Sequence, residues 1–178
     1  WGPIGYEGGV ISMLEMHGVG VGHEGLYVPG LVEANSGWRD RSQEWPDTVR
    51  MMMVVGSLTL KQTGGRYYAK AMNLRRRLRA AYDKALRDVD LLLMPTSPIV
   101  ASPLPDADAA PEQATHAAWE MLSNTSAFNI TGHPSLSAPC GLSDELPVGM
   151  MLTAKHWDET TIYRAAHAFE QAGDWREI

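Results

Sequence analysis

Along this chain, stretches with helical spacing of apolar residues alternate with short unbroken apolar runs. Residues 65–89 carry the clearest helical pattern, because Ala71, Leu74, Leu78, Ala81, Ala85 and Val89 recur three or four apart and form one stripe. The opposite face is basic, with Arg66, Lys70, Arg75, Arg76, Arg77, Arg79, Lys84 and Arg87. Leu91-Leu92-Leu93-Met94 follows and is stopped by Pro95, which predicts a strand buried on both faces. Residues 45–56 predict an earlier helix, with Pro46 near its first turn and Val49, Met52, Met53 and Val54 after it. Residues 10–16 predict two helical turns that end at His17-Gly18, with Gly18 as the left-handed stop.

The second half reads more plainly. Residues 97–111 hold Pro98, Pro103, Pro105 and Pro111 among small and acidic residues and predict an extended surface connection. A helix is expected from 111 or 112 to about 125, with Pro111 at its start. Two turn-bounded apolar segments, 135–139 and 148–153, predict strands joined by a loop over 141–147. A closing helix over 159–172 has Asp158 as its N-cap, Ile162, Ala165, Ala166 and Phe169 as its inner stripe, and Gly173 as its stop. Helix, strand, helix, strand, strand, helix is an α/β order with layered helices and sheet. By contrast, ten of the 17 glycines fall within residues 1–37, which predicts loop with closely approached backbone outside the short helix.

Composition narrows the class. The 178 residues are 44% hydrophobic and 20% charged, an ordinary globular balance. No apolar run approaches the roughly 20 residues that span a bilayer as a helix. Cys140 is the single cysteine, which excludes an internal disulfide framework and leads us to expect a cytoplasmic protein. A net charge of −6 argues against a nucleic-acid partner over the whole surface. The chain opens Trp1-Gly2-Pro3 and reads as a piece of something longer.

The candidate chemistry is weak when each motif is taken alone. Gly20-Val21-Gly22-His23-Glu24-Gly25 spells a dinucleotide fingerprint, yet no strand precedes it, and Pro29 and Gly30 disfavour the helix it needs; it reads as structural loop. The six histidines (His17, His23, His116, His133, His156, His167) show no H-x-x-x-H spacing, and Cys140 has no cysteine partner, so no metal site is expected. Cys140 ends an apolar strand in Ser137-Ala138-Pro139-Cys140-Gly141 and reads as a small buried hydrophobe rather than a nucleophile. The run Arg75-Arg76-Arg77 with Arg79 reads as a solvated or acid-paired helix face. Trp119 and Leu122 lie at i and i+3, with Asn124, Thr125 and Ser126 after them, an apolar patch passing into polar groups; that pattern suits a small-ligand pocket or an ordinary core contact. No serine sits in a Gly-rich elbow, so this stretch carries no nucleophile that can be recognised.

Three segments, in order, resemble the amidase signature enzymes. Leu91-Leu92-Leu93-Met94-Pro95-Thr96-Ser97-Pro98 is similar to their DVLLMPTxP strand, and Asn129-Ile130-Thr131-Gly132-His133-Pro134-Ser135-Leu136-Ser137-Ala138-Pro139-Cys140-Gly141 to their N-x-T-G-H-P-x-x-S-x-P-x-G segment. Leu146-Pro147-Val148-Gly149-Met150-Met151-Leu152, Trp157-Asp158-Glu159 and Arg164-Ala165-Ala166-His167-Ala168-Phe169-Glu170 are similar to the closing LPVGMQLxGxxFDExxLLRxAxAFE. Gly64-Gly65-Arg66-Tyr67-Tyr68-Ala69-Lys70-Ala71 extends the likeness backward, and residues 1–30 resemble the branch of bacterial amidases associated with nitrile metabolism.

That resemblance implies an α/β fold with a large mixed β-sheet flanked by helices on both sides, of which residues 1–178 form the C-terminal portion of a single domain. It implies amide hydrolysis through a serine acyl-enzyme, without a cofactor, by a Ser-Ser-Lys triad in a Gly/Ser-rich segment. Nothing here matches that segment, so the implied partners are an N-terminal portion carrying the triad and a small amide substrate, with neither nucleic acid nor membrane, and a homodimer is allowed. This chain alone is then expected to be inactive. The family's acyl pocket is lined by the helix before the Asn129 segment, which implies substrate-binding roles for Trp119, Leu122 and Thr125, with Trp1 as an aromatic wall. Leu122 stands where glutamine-specific amidotransferase subunits carry an acidic residue, which favours an apolar acyl group. The alternatives are a non-catalytic scaffolding subunit or a glutamine amidotransferase subunit.

Overall fold

A computed structural model describes residues 1–19, 27–106 and 108–177. The chain divides into two compact units, residues 1–74 and 75–178. The glycine fingerprint at 20–25 lies outside the described residues.

The first unit is helical. The glycine-dense start is not loop: Gly2–Gly9 form helix α1, which continues into a π-helical segment, Val10–Glu15. Pro3 sits in the first turn, where its missing N–H costs nothing. Helix α2, Pro29–Ser36, likewise begins on a proline at its first position, so the Pro29-Gly30 pair starts a helix rather than preventing one. Helix α3, Asp47–Thr63, runs past the predicted stop at Gly56 to Gly64, a left-handed C-terminal cap with φ +62°. The reason is packing. A Cβ on Gly56 would fall inside the Tyr6 carbonyl of α1, and one on Gly8 would lie 2.8 Å from the Tyr68 ring. These glycines are close-approach positions between helices, not breakers.

Glu7 of α1 is fully buried and satisfied. Its carboxylate accepts the Thr63 hydroxyl at 2.9 Å and the Tyr68 backbone N–H at 2.7 Å, at the junction between α3 and helix α4, Arg66–Ala85. Val10 and Met53 provide buried apolar contact. Nearby in sequence, Trp38 and Trp45 stack with ring centroids 5.5 Å apart.

The second unit holds the sheet. Strands β1 (Leu92–Pro95), β2 (Ser135–Ser143) and β3 (Leu146–Thr153) form an antiparallel sheet in the order β1-β3-β2. β2 and β3 make a hairpin tighter than the predicted loop: Ser143 pairs with Leu146 across Asp144 and Glu145, both at positive φ (51° and 64°). Two left-handed residues match the twist of the strands they join, although Asp-Glu lacks the usual glycine. β1 lies at the edge and is not buried on both faces; Leu93 is 67% exposed. One sheet face packs on helix α7, Glu159–Ala172, through Leu152, Ala154, Ile162 and Ala166, all buried. Ile162 and Leu152 each contribute about 2 kcal/mol of burial. Asp158 occupies the N-cap position of α7 as expected, but its carboxylate makes no bond to the helix backbone and accepts the Thr161 hydroxyl at 2.7 Å instead.

Within this unit the face of α4 that packs differs from the predicted stripe. Leu78 of α4 and Val89 beyond its end are exposed. Leu86 is buried, and Tyr82 meets Phe128 edge-on with centroids 5.1 Å apart. Arg75 donates from Nε to the Ile130 carbonyl at 2.6 Å, so one arginine of the basic run is held by backbone rather than left in solvent. The predicted helix over 111–125 is shorter: α5 covers Pro111–Glu120, turns follow, and α6 spans Ser126–Thr131 to a left-handed Gly132.

Candidate functional site

The face of the sheet opposite α7 is lined with hydroxyls. Strand alternation sends Leu136 and Ala138 of β2 one way and Ser135 and Ser137 the other. Ser135 and Thr153 share a hydrogen bond at 2.8 Å, and Ser137 and Thr96 share one at 2.6 Å. Thr96 follows β1 directly, and its N–H donates to the Gly149 carbonyl at 2.7 Å. Gly149 makes the junction feasible, since a Cβ there would lie 2.8 Å from both the Ser137 Oγ and the Thr96 Oγ1. Asn124 closes it from the side, donating from Nδ2 to the Pro95 carbonyl at 2.8 Å. Thr96, Ser137 and Gly149 come one from each of the three family-like segments, and the fold brings them to a single point.

Two recesses share this hydroxyl pair. One, of about 300 Å³, is lined by Thr125, Phe128 and Asn129 on its helical side and by Ser135, Ser137 and Met151 of the sheet. The other, of about 450 Å³, runs along residues 95–101 with Met121, Pro147 and Val148. Among the described residues lining them, His133 is the only titratable one. Neutral hydroxyls beside apolar walls suit an uncharged polar group carrying an apolar substituent. A hydroxyl becomes a nucleophile only with a base beside it, and the hydroxyls here bond to each other.

The residues expected at a pocket are placed as follows. Thr125 stands at the N-cap of α6 and lines the smaller recess. Trp119 is half-buried on α5; Leu122 is half-buried in the turn after it, where its carbonyl accepts the Ser126 N–H at 2.9 Å. Neither is among the described lining residues of the two recesses. Trp1 belongs to the first unit, at the head of α1, with its ring 3.0 Å from where a Gly5 Cβ would be. Reading residues singly missed Thr96, Ser137 and Gly149. The signal was present in the motifs, each of which contains one of them.

Other candidates resolve simply. Cys140 lies within β2, not at its end, as the extra residue of a bulge between Pro139 and Gly141; it is half-buried and its thiol faces the Val148 carbonyl at 3.5 Å. Apart from the hydroxyl pair, Asp83, His133 and His156 gather at the far end of α4. Burial first, then the charges of His133 and Arg79, hold the His156 imidazole below the usual histidine range.

A profile of the Amidase family matches residues 31–163. The chain belongs to the amidase family. Two curated relatives and one solved structure set the scale of the likeness. The uncharacterized protein in the nthA 5′ region of Rhodococcus erythropolis is 42% identical over 172 residues, covering 96% of this chain and 86% of that one. The enantioselective amidase of Rhodococcus rhodochrous is 38% identical over 174 residues, 97% of this chain but 34% of that enzyme. The crystal structure of a glutamyl-tRNA(Gln) amidotransferase subunit from Thermotoga maritima superposes with a TM-score of 0.52 at 25% identity, over 80% of this chain and 30% of that one. Against the latter two, this amidase-family chain spans about a third of the length.

Proposed function

We propose that this chain shapes the substrate pocket of an amide hydrolase whose Ser-Ser-Lys triad lies on an N-terminal portion outside residues 1–178. The meeting of Thr96, Ser137 and Gly149 beside a hydroxyl-lined recess carries this reading, because a neutral wall of that kind receives an amide without competing with it for charge. In the reaction the nucleophilic serine adds to the amide carbonyl while its proton passes through the bridging serine to the lysine. The C–N bond then breaks as that proton reaches the leaving nitrogen, and water hydrolyses the resulting ester to release the acid. Thr125 lines the smaller recess and forms part of the acyl side, and the family resemblance alone assigns Trp119, Leu122 and Trp1 to the same pocket. No step requires a cofactor.

A panel of aliphatic amides, aryl amides, anilides and carbamates, with glutamine included, tests this on the full-length protein. The expected result is turnover of apolar amides well ahead of glutamine. Absence of turnover with every member, on folded protein, overturns it. A glutamine amidotransferase subunit is the second reading, favoured by the Thermotoga maritima likeness; turnover confined to glutamine would select it. The apolar side chain of Leu122 argues against it.

A further inference from the structure

Asp83, His133 and His156 are 50 and 23 residues apart in sequence, so no spacing rule joins them, yet the fold gathers their ligand atoms within 4.8 Å of one another. Asp83 comes from the end of α4, His133 from the turn between α6 and β2, and His156 from the turn between β3 and α7. His133 Nε2 lies 3.2 Å, and His156 Nε2 3.9 Å, from the same oxygen of Asp83. The His133 imidazole is oriented from behind, where its Nδ1 bonds the fully buried Thr131 hydroxyl at 2.9 Å, and the His156 ring lies against it with centroids 4.1 Å apart. His156 Nε2 is left buried without a hydrogen-bond partner, an orphan that a protein seldom tolerates.

We propose that Asp83, His133 and His156 form a binding site for a divalent ion of the zinc class, tying the end of α4 to the two turns that flank the β2–β3 hairpin. Two imidazole nitrogens and one carboxylate oxygen are the donor set that borderline ions such as Zn²⁺ and Co²⁺ prefer. Tetrahedral ligands on a common zinc sit about 3.4 Å apart, so the 3.2 Å and 3.9 Å separations close with small side-chain rotations. The bond from Thr131 to His133 Nδ1 is the kind of contact that fixes a ligating histidine's tautomer and ring plane. Burial is graded in the useful direction: the His133 side chain is fully buried, that of His156 is 18% exposed and that of Asp83 51%. The ion therefore has a way in and room for water as a fourth ligand. An alternative is a water bridging the three groups, which would fill the orphan position without metal selectivity.

The test uses full-length protein, free of any histidine tag and dialysed against chelator, titrated with ZnCl₂ in a calorimeter and with Co²⁺ by visible absorption. One equivalent of Zn²⁺ should bind, and bound Co²⁺ should show the intense bands of a four-coordinate nitrogen and oxygen site. Asp83→Asn and His156→Gln should each weaken binding at least about tenfold and abolish the Co²⁺ bands. His116→Gln, which touches the exposed His116–Glu120 pair instead, should leave both unchanged. Asp83 is exposed enough that its variant will fold, so the result does not hang on His156→Gln. No Zn²⁺ binding, or binding of equal strength in Asp83→Asn, overturns the proposal and leaves the bridging water.

Discussion

The two compact units solve the same problem with opposite materials. Residues 1–74 bring helices together by removing side chains, at Gly8 and Gly56, and by burying a carboxylate, Glu7, among matched donors. Residues 75–178 use ordinary apolar burial on one face of a small sheet and hydroxyl pairs on the other. Contacts made by absence tolerate no added atom, whereas contacts made by side chains tolerate exchange of similar ones. The candidate site sits in the second kind of region, where single hydroxyls can change without dismantling the unit.

Substitutions should break that contrast in a definite order. Ile162→Ala removes the buried anchor between α7 and the sheet and should cost about 3 kcal/mol, read as a lowered urea midpoint. Gly56→Ala should cost nearly as much, about 2–3 kcal/mol, although it adds one methyl group, because α1 must move away from α3. Equal midpoints for Gly56→Ala and wild type would contradict the close helix contact. Glu7→Leu, which keeps the bulk and strands the Tyr68 N–H and Thr63 hydroxyl, should cost about 2 kcal/mol in the same assay.

The smaller effects belong to function. Leu122→Asp places a half-buried carboxylate at the proposed acyl wall and should lower kcat/KM for apolar amides about tenfold, with little change in the unfolding midpoint. Unchanged kinetics would remove Leu122 from the pocket. Gly149→Ala should push Thr96 and Ser137 apart at a cost of about 1 kcal/mol and raise KM more than it lowers kcat, since the role proposed for the pair is to position rather than to react.

How far these features could be read in advance differs between the units for a physical reason. In the second unit each element carries its own periodicity: Ile162, Ala165, Ala166 and Phe169 marked the inner face of α7, and 135–139 and 148–153 marked the hairpin strands that form. The α4 stripe misled because Tyr82 and Leu86, off the predicted line, are the residues that packing selects. In the first unit the local signal opposed the fold. Gly2, Gly5, Gly8 and Gly9 argue for loop when scored alone, and what favours glycine at Gly8 and Gly9 is the approach of Tyr68 and Met53 from far along the chain. The candidate site was legible as motifs but not as residues, since Thr96 and Ser137 meet only when β1 and β2 flank β3. The Asp83, His133 and His156 cluster left no sequence trace for the same reason.

The central claim is that this amidase-family chain builds pocket wall while an N-terminal portion supplies the nucleophile. It is tested most directly by treating the full-length protein with a fluorophosphonate and locating the adduct by peptide mass spectrometry. The account predicts one adduct, on a serine outside residues 1–178, with loss of amide turnover in step with labelling. An adduct on Ser135, Ser137 or any other serine of this chain, or full turnover after complete labelling, would contradict it.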